Sequence, residues 1–341
     1  MMSLSNHSNR NRRSTGKVTL ADVAREVGTG TMTVSRALRT PEMVSATLRK
    51  KIHLAVQKLG YVPNSAAREL ASVSSRNIVI VTSSLISTEN NLILNGLQKQ
   101  LQHLDVQLII LVANQKGWLR ELINNAPLAV ILLNLTCPET EAEWIRNSGL
   151  ICLEIGSKQT APLGINVCID SQTAVQKVVN FLVQKGYRDI GLLCAQQEQA
   201  IFQQYLACWH SALHSKHLNS HQILHCSEPV SFSAGAKLFN EGISTWGKID
   251  AFVFLSDQLA CGALFEAHRQ HIAVPYEVAI IGFGDLEISQ TTAPSLTTLR
   301  IPYAKLGKIA GEQLAELLKS GQKSTPRYIQ IDTDFIARES A

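Results

Sequence analysis

The sequence predicts an α/β protein in which a small helical domain precedes a core of two parallel, doubly wound sheets. Apolar residues recur at helical spacing within residues 18–71, whereas from Ile78 onward short apolar runs alternate with helical stretches. The chain has 341 residues, of which 45% are hydrophobic and 17% are charged, so it can bury more than one core. Charge is divided unevenly: residues 1–76 carry 13 lysines and arginines against 4 acidic residues, a net charge of +9 that leaves −4 for the rest.

A first helix of about two turns is predicted to begin at residue 20. Its apolar face, at positions i, i+3, i+4 and i+7, consists of Leu20, Val23, Ala24 and Val27. Thr19 and Asp22 have the spacing of a capping box at its N-terminus. Gly28-Thr29-Gly30 ends the helix, because glycine readily adopts the left-handed conformation of a tight turn.

A second helix is predicted over residues 31–38 and a third after Ser45, which ends at Gly60. The predicted inward positions are Val34, Ala37, Leu38, Leu48, Ile52, Ala55, Val56 and Leu59. Helix, glycine turn and helix form the helix-turn-helix unit, whose second helix lies in the major groove of DNA. The basic charge of this part of the chain favours the same interpretation, because lysine and arginine neutralise phosphates. The predicted DNA-contacting residues are Thr19, Thr31, Met32, Thr33, Ser35 and Arg36.

The stretch 18–71 resembles, without a gap, the lactose/galactose-repressor family of bacterial transcriptional regulators. The motifs that carry the resemblance are Val18-Thr-Leu-Ala-Asp-Val-Ala-Arg, Met32-Thr-Val-Ser-Arg-Ala-Leu and Leu59-Gly-Tyr-Val-Pro-Asn-Ser-Ala-Ala-Arg-Glu-Leu-Ala. The resemblance implies a homodimer on a palindromic DNA operator. It also implies that residues 65–71 form a hinge helix, in which Leu70 enters the minor groove beside Ala67 and Asn64 contacts DNA.

From Ile78 onward, nine strands alternate with helices. The predicted strands are 78–82, 106–112, 129–133, 151–154, 166–169, 190–194, 251–255, 278–282 and 328–331, and clear helices are predicted at 171–185, 257–271 and 302–319. Such alternation indicates parallel sheets covered on both faces, with ligands at the carboxyl ends of the strands. The resemblance, which continues through Gly186-Tyr-Arg-Asp-Ile and Ala279-Ile-Ile-Gly-Phe, implies a two-lobed, periplasmic-binding-protein-like core with a small-molecule effector in the cleft.

These observations divide the chain into a disordered basic tail, a helix-turn-helix domain, a hinge and two lobes. The predicted boundaries are 1–17 for the tail, 18–63 for the DNA-binding domain, 64–76 for the hinge and linker, 77–170 with 299–324 for lobe 1, and 171–298 with 325–341 for lobe 2.

Polar and aromatic residues near predicted strand ends are the candidates for effector binding. They are Ser83, Ser87, Glu89, Glu154, Tyr205, Trp209, Ser256, Asp257 and Asp285. Trp209 is alternatively part of the lobe core, and Asp257 alternatively caps the next helix. The recognition-helix motif and Glu154 are similar to the gluconate and idonate repressors, which implies a sugar or sugar-acid effector. Tyr205, however, stands where relatives usually carry an arginine, which removes the obvious cation for a carboxylate.

Parts of the sequence are also compatible with other classes of protein. His210, His214, His217, His221 and His225 have spacings that suit a metal site on one helix face. A sugar-binding protein without a DNA role would share the lobes but would not need the basic head. The chain lacks the G-x-S-x-G, Walker and dinucleotide motifs of enzymes, and no cofactor is predicted. Seven scattered cysteines and an N-terminus without an apolar run lead us to expect a cytoplasmic protein with reduced thiols.

Overall fold

A computed structural model of the protein describes residues 18–39, 41–61, 75–85, 87–113, 117–195 and 200–341. The chain divides into two compact units, residues 1–75 and 76–341. The predicted basic tail and the predicted hinge positions Asn64, Ala67 and Leu70 lie outside the described residues.

The described part of the first unit is a cluster of three short helices. They are α1 (Leu20–Val27), α2 (Thr31–Arg39) and α3 (Ala46–Leu59), with a 3₁₀ turn at Pro41–Met43 between the last two. Its fully buried residues are Val23, Ala24, Val34, Ala37, Ile52 and Ala55. Gly28 ends α1 in the left-handed conformation, with φ of 72°. The predicted helices and their inward faces are confirmed.

The second unit contains twelve strands and eight further helices among its described residues. The strands are β1 (Asn77–Thr82), β2 (Gln107–Val112), β3 (Ala129–Leu133), β4 (Ile151–Ser157), β5 (Ile165–Ile169), β6 (Ile190–Ala195), β7 (Ile223–Cys226), β8 (Ala251–Phe254), β9 (Ala279–Gly284), β10 (Thr297–Arg300), β11 (Arg327–Ile331) and β12 (Asp334–Ile336). The helices are α4 (Thr88–Leu101), α5 (Trp118–Asn124), α6 (Glu139–Ser148), α7 (Ser171–Gln184), α8 (Ala200–His214), α9 (Phe232–Trp246), α10 (Asp257–Arg269) and α11 (Tyr303–Ser320).

The strands form two six-stranded sheets, each the centre of one lobe. The first sheet has the order β11-β5-β4-β3-β1-β2 and the second β12-β10-β9-β8-β6-β7. All neighbouring strands are parallel except β10 and β12, which are antiparallel. The chain passes between the sheets after β5, after β10 and after β11. The predicted fold class, two parallel doubly wound sheets behind a helix-turn-helix domain, is confirmed.

The prediction that residues 325–341 belong entirely to lobe 2 is wrong. β11 pairs in parallel with β5 along its whole length, from Arg327 opposite Ile165 to Ile331 opposite Ile169, so it is an edge strand of the first sheet. Only the residues after β11 return to the second sheet, through β12. Strands β7, β10 and β12 were not predicted, because each has at most four residues and no more than two consecutive large apolar side chains.

Close helix packing holds one pair of helices in each lobe. In lobe 1 a Cβ added at Gly307 on α11 would lie 1.9 Å from the carbonyl oxygen of Ile93 on α4. In lobe 2 a Cβ added at Gly262 on α10 would lie 2.0 Å from the carbonyl oxygen of Phe232 on α9. Glycine is therefore required at both crossings, since it alone lets the backbones approach this closely. In the described part of the chain, every helix is too short or too polar to cross a membrane.

Candidate functional site

The exposed face of α2 is the candidate DNA-reading surface. Val34 and Ala37 anchor the helix in the core of the first unit, which turns Thr31, Met32 and Arg36 toward solvent. The Met32 side chain is 81% exposed, an unusual position for a large apolar residue. Arg36 can present a guanidinium fork to a guanine edge, and an apolar side chain can contact a thymine methyl group. The remaining predicted positions, Thr33 and Ser35, are half-buried.

Asp22 helps to cap the N-terminus of α1. Its carboxylate accepts hydrogen bonds from the Thr19 backbone N–H at 2.9 Å and from the Thr19 hydroxyl at 2.7 Å. These two hydrogen bonds, helped by the nearby Arg25 guanidinium, hold the pKa of Asp22 below its ordinary value. The Thr19 hydroxyl, predicted to contact DNA, thus donates to Asp22, although Thr19 itself remains exposed.

Positively charged side chains also lie along α3, in the same unit as α2. Lys58 pairs with Glu26 at 2.7 Å and so ties α3 to α1. Lys50 and Lys51 are exposed on the first half of α3. Exposed cations in the same helical unit as α2 favour contact with a phosphate backbone.

In the second unit, a cavity of about 180 Å³ lies between the carboxyl ends of the two sheets. Lobe 1 contributes residues that follow β1 and β3 or end β4 and β5, and lobe 2 contributes residues that end or follow β6, β8, β9 and β10. The polar residues among its lining are Ser83, Ser84, Ser87, Glu89, Asn90, Asn134, Tyr205, Ser256, Gln258 and Tyr303. This is the position where doubly wound sheets bind ligands.

The lobe 1 wall is a hydrogen-bonded network at the start of α4. Ser87 caps α4 by accepting from the Asn90 backbone N–H at 3.1 Å, and its hydroxyl donates to the Glu89 carboxylate at 2.7 Å. The buried Asn90 amide donates to the Thr82 hydroxyl at 3.0 Å and accepts from the Asn134 amide at 2.7 Å. These contacts fix the polar groups before any ligand arrives, a form of pre-organisation that favours binding.

The lobe 2 wall contains Tyr205, which is only 7% exposed. Its hydroxyl is buried and has no hydrogen-bond partner among the described residues, and its ring contacts Phe283 edge-on with centroids 5.5 Å apart. Burial raises the pKa of this hydroxyl, which therefore stays protonated and able to donate. Ser256 caps α10 by accepting from the Gln258 backbone N–H at 3.2 Å.

Of the predicted effector residues, the structure brings Ser83, Ser87, Glu89, Tyr205 and Ser256 together around this cavity. Glu154, Trp209, Asp257 and Asp285 are not among its lining residues. For these four, the predicted place in the cavity is wrong.

The sequence predicts Glu154 at the end of a strand, but β4 continues three residues further, to Ser157. Its buried carboxylate accepts from the backbone N–H groups of Leu163 at 2.8 Å and Gly164 at 3.5 Å. Burial raises its pKa, and these two hydrogen bonds lower it only in part. Glu154 therefore holds the connection between β4 and β5. Trp209 lies one helical turn beyond Tyr205, is 1% exposed and belongs to the hydrophobic core.

Asp257 and Asp285 serve the internal structure of lobe 2. Asp257 accepts from the Leu286 backbone N–H at 2.7 Å and from the Thr298 hydroxyl at 2.5 Å. Asp285 pairs with Arg338 at 2.5 Å and with Arg300 at 2.6 Å. Burial alone would raise the pKa of Asp285, but hydrogen bonds and charges from the two arginines outweigh it and hold the pKa below its ordinary value.

Sequence reasoning missed Asn90, Asn134, Gln258, Phe283 and Tyr303. Asn134 follows β3 directly, so the strand-end rule already used for Ser83 would have found it. Tyr303 follows β10, a strand that was not predicted. Burial raises the pKa of Tyr303, and the Glu89 charge adds to this effect, which shows that the two side chains are close.

The predicted histidine cluster does not share one helix face. His210 and His214 lie on α8, which ends at His214, whereas His225 lies on β7. The rings of His210 and His221 are 6.1 Å apart. Among the described residues, no group of three or more histidine, cysteine or acidic side chains is arranged to hold a metal ion. The seven cysteines, all in described segments, are free thiols.

A helix-turn-helix unit followed by a two-lobed α/β core, with a cavity between its sheets, defines a class of DNA-binding transcriptional regulator. The family model described as "Bacterial regulatory proteins, lacI family" matches residues 19–64, and that of the periplasmic binding protein-like domain matches residues 179–341. The HTH-type transcriptional regulator GntR of Pseudomonas aeruginosa is 30% identical over 97% of this chain and 98% of its own. The protein belongs to the lacI family and is a transcriptional regulator.

Solved structures show the same fold. A LacI-family transcriptional regulator from Silicibacter pomeroyi superimposes with a TM-score of 0.85 at 23% identity, covering 95% of this chain and 99% of that chain. The lac repressor dimer bound to operator and the anti-inducer ONPF superimposes with a TM-score of 0.73 at 22% identity, with coverage of 95% and 99%.

Proposed function

We propose that this protein is a homodimeric repressor whose binding to a palindromic operator is controlled by a small sugar or sugar acid in the cavity between its lobes. The observation that carries the proposal is the cavity itself. Its walls come from both sheets, and the Tyr205 hydroxyl in one wall is buried and finds no partner in the described segments. A buried unsatisfied hydroxyl costs about 1–3 kcal/mol. A ligand oxygen that accepts from Tyr205 would remove this cost.

The lining suits a polyhydroxylated ligand. Serine hydroxyls, amides and one carboxylate can pair with ligand hydroxyls, while Phe202, Phe283 and Leu255 offer an apolar surface to ligand carbon atoms. Such a ligand would contact Glu89 in lobe 1 and Tyr205 in lobe 2 at once. It would therefore favour one separation of the lobes over others, which is the differential binding that allosteric control requires.

DNA recognition is proposed for the exposed face of α2. In this proposal Arg36 and Met32 contact base edges in the major groove, and Lys50 and Lys51 contact phosphates. A homodimer would place two copies of α2 in successive half-sites of a two-fold operator. The predicted hinge, with Leu70 as a minor-groove wedge, would connect lobe movement to the DNA.

Two linked measurements test the proposal. A thermal-shift screen of sugars and sugar acids on the full chain identifies a ligand, because a ligand at 100 times its Kd stabilises a protein by about 2.7 kcal/mol. Fluorescence anisotropy on the protein's own promoter DNA then measures operator affinity with and without that ligand. We expect operator affinity to change at least tenfold, and to fall steeply with salt in either state.

A matched pair of variants locates the site. Ser83→Phe should abolish the ligand-induced thermal shift, because Ser83 lines the cavity. Ser211→Phe, at an exposed position of α8 away from the lining, should respond to ligand as the wild type does. Circular dichroism confirms that both variants are folded. An unchanged ligand response in Ser83→Phe, or a specific operator that no sugar or sugar acid affects, would contradict the proposal.

A further inference from the structure

We infer that the cavity takes a neutral polyhydroxylated ligand, a sugar or sugar alcohol, and excludes the carboxylate of a sugar acid. The inference rests on the proposed function and narrows its ligand class. It runs against the resemblance to the gluconate and idonate repressors, and it follows from the charges that surround the cavity.

The first observation is the charge of the lining. Among the described residues that form the cavity, Glu89 is the one acidic residue, and none is lysine, arginine or histidine. The Ser87 hydroxyl donates to the Glu89 carboxylate at 2.7 Å, which keeps it at the wall near the start of α4. In a cavity of about 180 Å³, a ligand carboxylate would lie close to Glu89. Two carboxylates sharing one site disfavour each other's charged form.

The second observation is that cationic side chains on adjoining segments are bound elsewhere. Arg300 directly precedes the cavity residue Ile301, but its Nε donates to Asp285 at 2.6 Å. Arg338 donates to the other oxygen of the same carboxylate at 2.5 Å. Lys158 lies over the Tyr328 ring at 5.3 Å. These contacts hold the three cations at other partners, so a carboxylate in the cavity would compete with an existing interaction for each of them.

The third observation is the type of hydrogen bonding on offer. The Tyr205 hydroxyl is buried, protonated and unpaired within the part of the chain that the structure describes, so it can donate one neutral hydrogen bond. Glu89 can accept from a ligand but cannot donate when ionised. A ligand hydroxyl both accepts and donates, and can therefore satisfy Tyr205 on one side of the cavity and Glu89 on the other. A carboxylate can only accept, so in the same position it could not donate a hydrogen bond to Glu89.

The test compares ligands in matched pairs that differ in one terminal carbon. Isothermal titration calorimetry on the full chain measures binding of D-glucitol against D-gluconate, D-glucose against D-glucuronate, and D-galactose against D-galacturonate, at equal sodium concentration. We expect a neutral member to bind, and its anionic counterpart to bind on the order of 100-fold more weakly, because it places an uncompensated charge beside Glu89.

Two variants test whether Tyr205 and Glu89 cause the difference in affinity between neutral and anionic ligands. Tyr205→Phe keeps the ring and removes the hydroxyl, so it should weaken the neutral ligand roughly 3- to 30-fold. Glu89→Gln removes the carboxylate from the lining. It should reduce the ratio of the Kd of the anionic ligand to the Kd of its neutral counterpart at least tenfold. If this ratio of Kd values is the same in Glu89→Gln as in the wild type, the Glu89 carboxylate does not cause the discrimination.

The possible failures are distinguishable. If an anionic member binds the wild type as tightly as its neutral partner and alters operator affinity, the inference is overturned while the proposed function stands. If no member of any pair binds and operator affinity is indifferent to all of them, both are overturned.

Discussion

Asp257 should make the core less stable as pH rises from 3.8 through about 6. Its carboxylate is buried beside the cavity residues Ser256 and Gln258. Burial raises its pKa from the ordinary value of 3.8 to about 6, although hydrogen bonds from Thr298 and Leu286 lower it in part. Replacing Asp257 by asparagine keeps the shape of the side chain and removes its titration.

The magnitude follows from linkage between proton binding and folding. A pKa that is higher in the folded than in the unfolded protein means that the folded state binds the proton more tightly. The stabilisation is then complete below pH 3.8 and is lost as pH rises through about 6. Each pH unit corresponds to about 1.4 kcal/mol, so the whole interval is worth about 3 kcal/mol. Between pH 4.5 and 7.5 we expect a change of about 2 kcal/mol in the free energy of unfolding.

Urea unfolding followed by tryptophan fluorescence measures this change. All four tryptophans, at positions 118, 144, 209 and 246, lie in the second unit, so the signal reports the core and not the DNA-binding unit. The free energy of unfolding of Asp257→Asn, relative to the wild type, should increase by about 2 kcal/mol from pH 4.5 to 7.5 and then level off.

A control variant and a contrary result complete the test. Asp332→Asn removes a carboxylate at an exposed position and controls for the change in net charge. If the difference between Asp257→Asn and the wild type is the same at every pH, burial does not hold the Asp257 proton, and the reasoning from its surroundings fails.

Three other variants test the fold and the two sites. Glu154→Gln should leave the effector response unchanged, because the Glu154 carboxylate accepts hydrogen bonds from the loop between β4 and β5 and does not line the cavity. A weaker effector response in the anisotropy assay would show that Glu154 takes part in effector binding. Gly307→Ala should destabilise the core by about 1–3 kcal/mol in urea, because its Cβ would meet the Ile93 carbonyl oxygen; the exposed Lys308→Ala is its control, and wild-type stability in Gly307→Ala would show that α4 and α11 can separate freely. Arg36→Ala should weaken operator binding by about 1–3 kcal/mol; unchanged affinity would move the recognition surface away from α2.

The helices of the first unit illustrate what can be predicted from local sequence. The inward positions of α1, α2 and α3 follow from apolar spacing, and the turn at Gly28 follows from its lack of a Cβ. The nine predicted strands are all present, with bounds within three residues of those predicted. Each of these features depends on neighbours a few residues away, which the sequence displays directly.

The cavity shows which of its residues can be predicted from their position directly after a strand. Ser83 and Ser256 follow their strands immediately, so their place at the carboxyl edge was predictable from chain order alone. Glu154 failed the same rule because β4 runs on to Ser157, and strand ends are set by pairing with neighbours rather than by apolar composition. Three residues of extra strand were enough to move its carboxylate out of the site.

The sequence by itself determined the class of fold, the face of α2 that is exposed, and the family to which the chain belongs, because these depend on periodicity and on contiguous motifs. Only the tertiary structure determined which polar groups already have a hydrogen-bond or ion-pair partner within the protein. Asp285 is bound by Arg338, 53 positions away in the chain, and β11 pairs with β5, more than 150 positions away. A carboxylate at a strand end is equally consistent with a ligand site and with an internal ion pair. Only folding brings the distant partner that selects between them, because the energy of such a pair depends on distance in space and not along the chain.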